Sequence, residues 1–324
     1  MTEATELRCA GCEAPLHHGD RFCEQCGTRL LEIEPPEGGC QVCGAASEAI
    51  EDDGYCSVCG ARERSASDRI ELDLAVAAAV SDRGRAHRRN EDAFRVEVVA
   101  QGSVAAVICD GISSASAGDV AARSAADAAV AVLASALEDP ARDRRDATHA
   151  AVQTANEAVA NVPWTTRADR GMPACTLICA LYRDGEIVIG SAGDSRAYWI
   201  DADGAHQLTV DDSWAEEQAA QGLLTFEQAL EDPRSHSITH WIGADAPERG
   251  PRLGALRPDG PGRLLLCSDG LWNYVSTTAE LGDLIDALPA EASPAAVARA
   301  LTDTALDRGG RDNITVAVID IHPS

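Results

Sequence analysis

At 324 residues, with 45% hydrophobic and 25% charged content, the chain is long enough for a large core and has an ordinary globular balance. Its 27 basic residues are all arginine and face 53 acids, for a formal net charge of −26. That field excludes nonspecific attraction of the whole chain to nucleic acid or an anionic membrane.

No apolar stretch reads as a membrane span, and the opening MTEATELRCAGCE lacks a basic and then apolar leader. The expectation is a soluble, cytoplasmic protein with no nucleic-acid and no membrane partner. Lysine-free, arginine- and alanine-rich usage points to a GC-rich bacterial genome.

Eight of the twelve cysteines fall in four CxxC pairs, Cys9/Cys12, Cys23/Cys26, Cys40/Cys43 and Cys56/Cys59. Each pair turns two thiolates toward one point, and two pairs complete a tetrahedral zinc site. The alternative, a disulfide framework, needs an oxidising compartment, and nothing in the sequence indicates one. Pairing of the knuckles is sequential or interleaved, and the break Pro35-Pro36-Glu37-Gly38-Gly39 favours sequential. The head resembles a double zinc-ribbon module with two structural zinc ions. Its 5 arginines against 13 acids over residues 1–66 argue for docking or regulation through a protein partner rather than DNA. His17 and His18 are read as solvated, since cysteines suffice. The expected boundaries are 1–62 for the head, 63–70 for a polar linker and 71–324 for the main domain.

The main domain opens with a strand over Leu74–Val80 and the charged turn SDRGRAHRRNEDAF. Val104–Gly111, VAAVICDG, is a buried-strand run that stops at an aspartate, and RLLLCSDG at 263–270 repeats the design. Helices are expected over Asp119–Leu137 and Asp143–Val162. Strands at Ala174–Tyr182 and Glu186–Ala192 flank the hairpin turn Asp184-Gly185, and Arg196–Ile200 continues the meander. Tight turns between neighbours mean antiparallel sheet. An insertion spans about 209–243, helices follow near Ala279–Leu288 and Pro294–Ala305, and a strand ends in Ile321. The fold class is α+β.

Asp92, Asp110, Asp269 and Asp312 thus stand at strand ends or turns beside apolar runs. Carboxylates brought together repel unless cations lie between them, and an all-oxygen donor set selects Mg²⁺ or Mn²⁺. Two such ions activate water for phosphate-ester hydrolysis without a protein nucleophile. Cys109, Cys175, Cys179 and Cys267 lie in apolar strand runs and read as core residues.

The ordered motifs RRNEDAF, CDG, GDSRAYW, LLLCSDGLW and GGRDNITV resemble the metal-dependent protein phosphatase family, also called protein phosphatase 2C or PPM, over residues 70–321. The resemblance implies a four-layer αββα sandwich of two antiparallel sheets flanked by helices. It implies dephosphorylation of phosphoserine and phosphothreonine in proteins, the targets of a serine/threonine kinase. Carried over residue by residue, Asp110 bridges two ions with help from the Gly111 carbonyl, Asp269 and Asp312 hold one, and Asp92 with Glu91 serves the other. Asp194 is expected to hold its turn. A third ion would use Asp169.

Some positions depart from the family pattern. His87 stands where the family places a phosphate-gripping arginine, with Arg88, Arg89 and Arg85 as substitutes, and His240 replaces the flap arginine. Ile112-Ser113-Ser114 follows Asp-Gly, so no histidine acid stands there. The rival reading is a catalytically weak or inactive scaffold that binds phosphoproteins.

Overall fold

The computed structural model describes residues 7–8, 15–16, 40, 45–50, 55–60, 68–99, 102–139, 141–166 and 170–323. The chain divides into two compact units, Met1–Ser65 and Ala66–Ser324. In the first, the two-residue strands Leu7–Arg8 and Pro15–Leu16 pair antiparallel. A 3₁₀ turn, Ser47–Ala49, precedes a bridge between Ile50 and Cys56.

The second unit contains two large antiparallel sheets, besides a short pairing of Ala174–Cys175 with Ile242–Gly243. The strands of the two large sheets are β1 (Arg69–Asp73), β2 (Ala77–Asp82), β3 (Asp92–Val99), β4 (Ser103–Asp110), β5 (Leu177–Arg183), β6 (Glu186–Ala192), β7 (Arg196–Asp201), β8 (Gly204–Gln207), β9 (Arg252–Leu256), β10 (Gly262–Cys267) and β11 (Ile314–Ile321). One sheet runs β8-β7-β10-β11-β2-β1 and the other β9-β6-β5-β4-β3. Helices α1 (Gly118–Glu138) and α2 (Arg144–Ala160) cover the five-stranded sheet. After the short helices α3 (Trp214–Ala220), α4 (Phe226–Leu230) and α5 (Asp269–Trp272), helices α6 (Thr278–Asp286) and α7 (Pro294–Asp307) cover the six-stranded one.

Strand β4 shows why its sequence is apolar throughout. Val104, Ala106 and Ile108 face the other sheet, while Ala105, Val107 and Cys109 face α1 and α2. A strand buried on both faces loses the alternation of a half-exposed one. Strand β10 does the same with Leu264 and Leu266 inward, Leu265 and Cys267 toward the helices. The buried alanines of α1, from Ala121 to Ala129, let backbone approach backbone. Asp184 and Gly185 both take positive φ, the mirror-image turn that matches strand twist.

Three expectations are corrected. Arg69 and Ile70, assigned to the linker by composition, open edge strand β1, which pairs with β2. The first buried strand is Ala77–Asp82, because Ala75 at φ 64° turns the chain before it. Helix α1 has the length and hydropathy of a membrane span, a mean of 1.5 over 18 residues. Its apolar side is nevertheless packed in the core against the sheet and α2.

Candidate active site

Four of the predicted carboxylates meet at one end of the sandwich. Asp92 opens β3 and Asp110 closes β4, and the two are direct cross-strand partners. Asp269 begins α5 at the end of β10, and Asp312 stands two residues before β11. The glycine of each Asp-Gly pair makes this convergence sterically possible. A Cβ on Gly111 would stand 2.7 Å from the Gly118 carbonyl and 2.8 Å from the Glu91 carbonyl oxygen. A Cβ on Gly270 would fall 1.9 Å from the Asn313 carbonyl oxygen.

Asp92 is buried, and its Oδ2 accepts hydrogen bonds from Ser268 Oγ at 2.9 Å and Thr315 Oγ1 at 2.6 Å. Its Oδ1, like Asp269 Oδ1, is buried without a hydrogen-bond partner among the described residues. Burial pushes the Asp92 carboxyl up to about 7, against the two hydroxyl hydrogen bonds and with the charges of Asp269 and Asp312. Burial also lifts Asp269 to about 6, helped by Asp312 and opposed by hydrogen bonds with Asp110 and Asn273. Asp110 is raised well above the carboxylate range by burial and by Asp92, Asp269, Asp312 and Asp194. Such mutual elevation is what unneutralised carboxylates at one point produce.

Glu91 lies beside the cluster, its backbone N–H donating to Asn313 Oδ1 at 2.8 Å, its carboxyl raised by burial and by Asp119. His87 Nε2 is 3.1 Å from Asp312 Oδ1. Arg88 and Arg89 line a cavity of about 850 Å³ together with His87 and Glu91. Arg85 does not reach it: its Nε donates to the Leu306 carbonyl at the end of α7. His240 is likewise corrected. It is buried, with Nδ1 3.1 Å from Asp212 Oδ2, where Gly193 N and Arg252 Nε also converge. It anchors the insertion to the GDSR turn. Asp169 lies outside the described residues.

Asp194 holds its turn through its carbonyl, which accepts from Trp272 Nε1 at 3.0 Å. Its carboxyl adds to the cluster's field: burial first, then Asp269 and Asp211, raise it to about 8. The thiols behind the site are core groups, with burial pushing Cys179 and Cys267 up to about 12.

Sequence reasoning missed Ser268, Thr315 and Asn313. Asn313 Nδ2 donates to the carbonyls of Arg83 and Arg89, at 2.7 and 3.0 Å, so one buried amide fixes both ends of the turn carrying His87. The signal was present as polar residues, Ser81 and Thr315, paired in register inside apolar strands.

In the first unit, Cys40, Cys56 and Cys59 bring their sulfurs within 4.8 Å of one another, with Cys40 and Cys59 at 3.6 Å. Cys9, Cys12, Cys23, Cys26 and Cys43 lie outside the described residues.

Two antiparallel sheets thus lie between helix layers, with a cluster of buried carboxylates at the sheet ends of the kind that holds hard divalent cations. The protein phosphatase 2C family profile matches residues 83–305. The chain is 28% identical to the serine/threonine phosphatase stp of Listeria welshimeri over 245 residues, 74% of this chain and 93% of that one. It is 32% identical to the serine/threonine protein phosphatase PstP of Mycobacterium tuberculosis over 254 residues, 78% of this chain and 46% of that longer one. A crystal structure of the PstP catalytic domain with two manganese ions superposes with a TM-score of 0.57 at 26% identity, covering 78% of this chain and 99% of that one. The chain belongs to the protein phosphatase 2C family. It is an enzyme, a protein-serine/threonine phosphatase.

Proposed function

We propose that this enzyme hydrolyses phosphoserine and phosphothreonine in kinase-modified proteins, using divalent cations held by Asp92, Asp110, Asp269 and Asp312. The observation that carries the reading is the cross-strand pair Asp92–Asp110, facing Asp269, with orphaned buried oxygens on Asp92 and Asp269. A buried carboxylate oxygen with no donor is costly, and a hard cation satisfies it. These donors fit Mn²⁺ or Mg²⁺, and the manganese complex of the PstP domain supports two ions. When bound, such ions acidify a shared water and neutralise phosphoryl oxygens.

The chain's own groups supply the remainder. Ser268 and Thr315 fix Asp92 by holding Oδ2, which leaves Oδ1 for a cation. The Gly111 position admits no side chain because the Gly118 and Glu91 backbones close on it, and its carbonyl is proposed as a further ligand on family resemblance. His87, whose Nε2 lies 3.1 Å from Asp312 Oδ1, and Arg88 in the cavity wall would take the substrate phosphate. The leaving oxygen takes its proton from solvent or from His87. Asp169 is proposed for a third ion on family resemblance alone.

The head is proposed to be a double zinc ribbon that docks a protein partner or regulates the enzyme. Three sulfurs converge in its second half, whereas a disulfide needs two, and four thiolates complete a zinc site when Cys43 is added. Reduced thiols in that number suit the cytoplasm.

The test is hydrolysis of p-nitrophenyl phosphate and a phosphothreonine peptide with Mn²⁺ and with the metal chelated. Turnover of both is expected only with metal, and Asp269→Asn should weaken Mn²⁺ binding and abolish turnover together. Undiminished turnover in that variant would sink the assignment. The scaffold reading predicts no turnover in folded, Mn²⁺-loaded protein.

A further inference from the structure

We propose that the arginine-lined cavity beside the carboxylate cluster is a second anion subsite. The preferred substrate segment then carries another negative group, a carboxylate or a second phosphate, next to the residue being dephosphorylated. This rests on the phosphatase reading above and adds a substrate class to it.

The charge is the first argument. In a chain of net charge −26, this cavity carries Arg89 and Arg170 beside His87 and Arg88, the pair proposed for the substrate phosphate; its one lining acid is Glu91, with Asp119 near enough to act on it. Arg89 and Arg170 make no ion pair among the described residues. Arg170 Nη1 donates to the Ala115 carbonyl at 3.1 Å and the Ser113 carbonyl at 3.4 Å. Those bonds aim the guanidinium without neutralising it, which suits recognition of an incoming anion.

The second argument is a buried hydroxyl. Ser116 is 7% exposed, lines the cavity, and its Oγ has no hydrogen-bond partner among the described residues. Buried polar groups are nearly always paired, so an orphan in a cavity wall marks a place for a ligand atom. The third is the 21-residue helix α1, which starts at this wall. Its N-cap, Ala117, lines the cavity and provides no side-chain cap, while Asp119 in the first turn is paired with Arg123 at 3.0 Å.

At about 850 Å³ the space exceeds a single phosphoryl group, and Trp164 is among its lining residues. His87 and Glu91 line it and also border the carboxylate cluster, so one extended segment reaches both places.

The experiment uses the full chain loaded with Mn²⁺ and three phosphothreonine peptides of equal length: neutral flanks, acidic flanks, and a second phosphothreonine. The unaltered protein should favour the two anionic peptides by about fivefold or more in kcat/KM, through KM. Arg170→Gln should remove that preference. Turnover of p-nitrophenyl phosphate, which has no second anion, should hold. A larger preference for the doubly phosphorylated peptide than for the acidic one identifies phosphate as the source. Equal rates on all three peptides, or a uniform loss across them in Arg170→Gln, overturns the subsite. Fluorescence anisotropy with the same labelled peptides reads it without turnover. Tighter binding of anionic peptides, abolished in Arg170→Gln, supports the subsite even if hydrolysis fails; equal binding overturns it.

Discussion

Asp92 is 8% exposed, with one oxygen held by two hydroxyls and the other unpartnered. Its carboxyl at about 7 and that of Asp269 at about 6 stand above the ordinary value near 4. Between the ordinary and raised values the folded state binds more protons than the unfolded one, so stability falls as pH rises through that window. Metal-free protein is therefore expected to lose thermal stability from about pH 5 to about pH 8, and Mn²⁺ at the higher pH to restore it. Asp92→Asn keeps an acceptor for Ser268 and Thr315 but removes the buried charge. Calorimetry should show a higher melting temperature for the metal-free variant at pH 8 and Mn²⁺ affinity weakened by at least about tenfold. A lower melting temperature there would mean that the charge is compensated by something other than a cation. The aspartates were legible in the sequence because a charge ending an apolar run requires a reason. The reason for the adjacent glycines was not, since Gly111 and Gly270 take no positive φ and instead clear space for chains distant in sequence.

At the scale of elements, the strands buried on both faces and the meander turn were readable from periodicity and the Asp-Gly pair. Edge strands were not: β9 is mostly half-exposed and β8 has no buried residue, so neither presents an apolar run. The turn from Arg83 to Glu91 depends on Asn313, seen in sequence only as part of an Asp-Asn turn. Asn313 is buried and spends both amide functions on that turn, through Glu91 N–H and the carbonyls of Arg83 and Arg89. Arg83 reinforces it by donating to the His87 carbonyl and pairing with Asp68 at 3.1 Å. Asn313→Ala loses three hydrogen bonds and orphans buried backbone groups, for a cost of about 2–4 kcal/mol. Because the same turn positions His87, Arg88 and Glu91, turnover should fall with stability, chiefly through a higher KM for phosphopeptide. Urea unfolding and steady-state kinetics at one temperature check both. Unchanged KM at reduced stability would separate the turn from substrate binding.

At the scale of the whole molecule, the three large hydrophobic clusters among the described residues are built from residues 77–321, and a fourth, small one centres on Cys40 and Cys56. A unit of the size of 66–324 supports its own core. The first unit has few apolar residues and eight clustered cysteines, the composition of a domain folded by metal rather than by a core. Removal of residues 1–65 should therefore leave a soluble protein whose Mn²⁺-dependent hydrolysis of p-nitrophenyl phosphate stays within about twofold of the full chain. Zinc analysis of the full chain should give about two ions per molecule, four thiolates to each, and none after truncation. Stripping zinc from the full chain should unfold the first unit while the main unfolding transition keeps its midpoint. An insoluble or inactive truncated chain would make the head part of the catalytic fold. One zinc ion in the full chain would confine the metal to the half where Cys40, Cys56 and Cys59 converge.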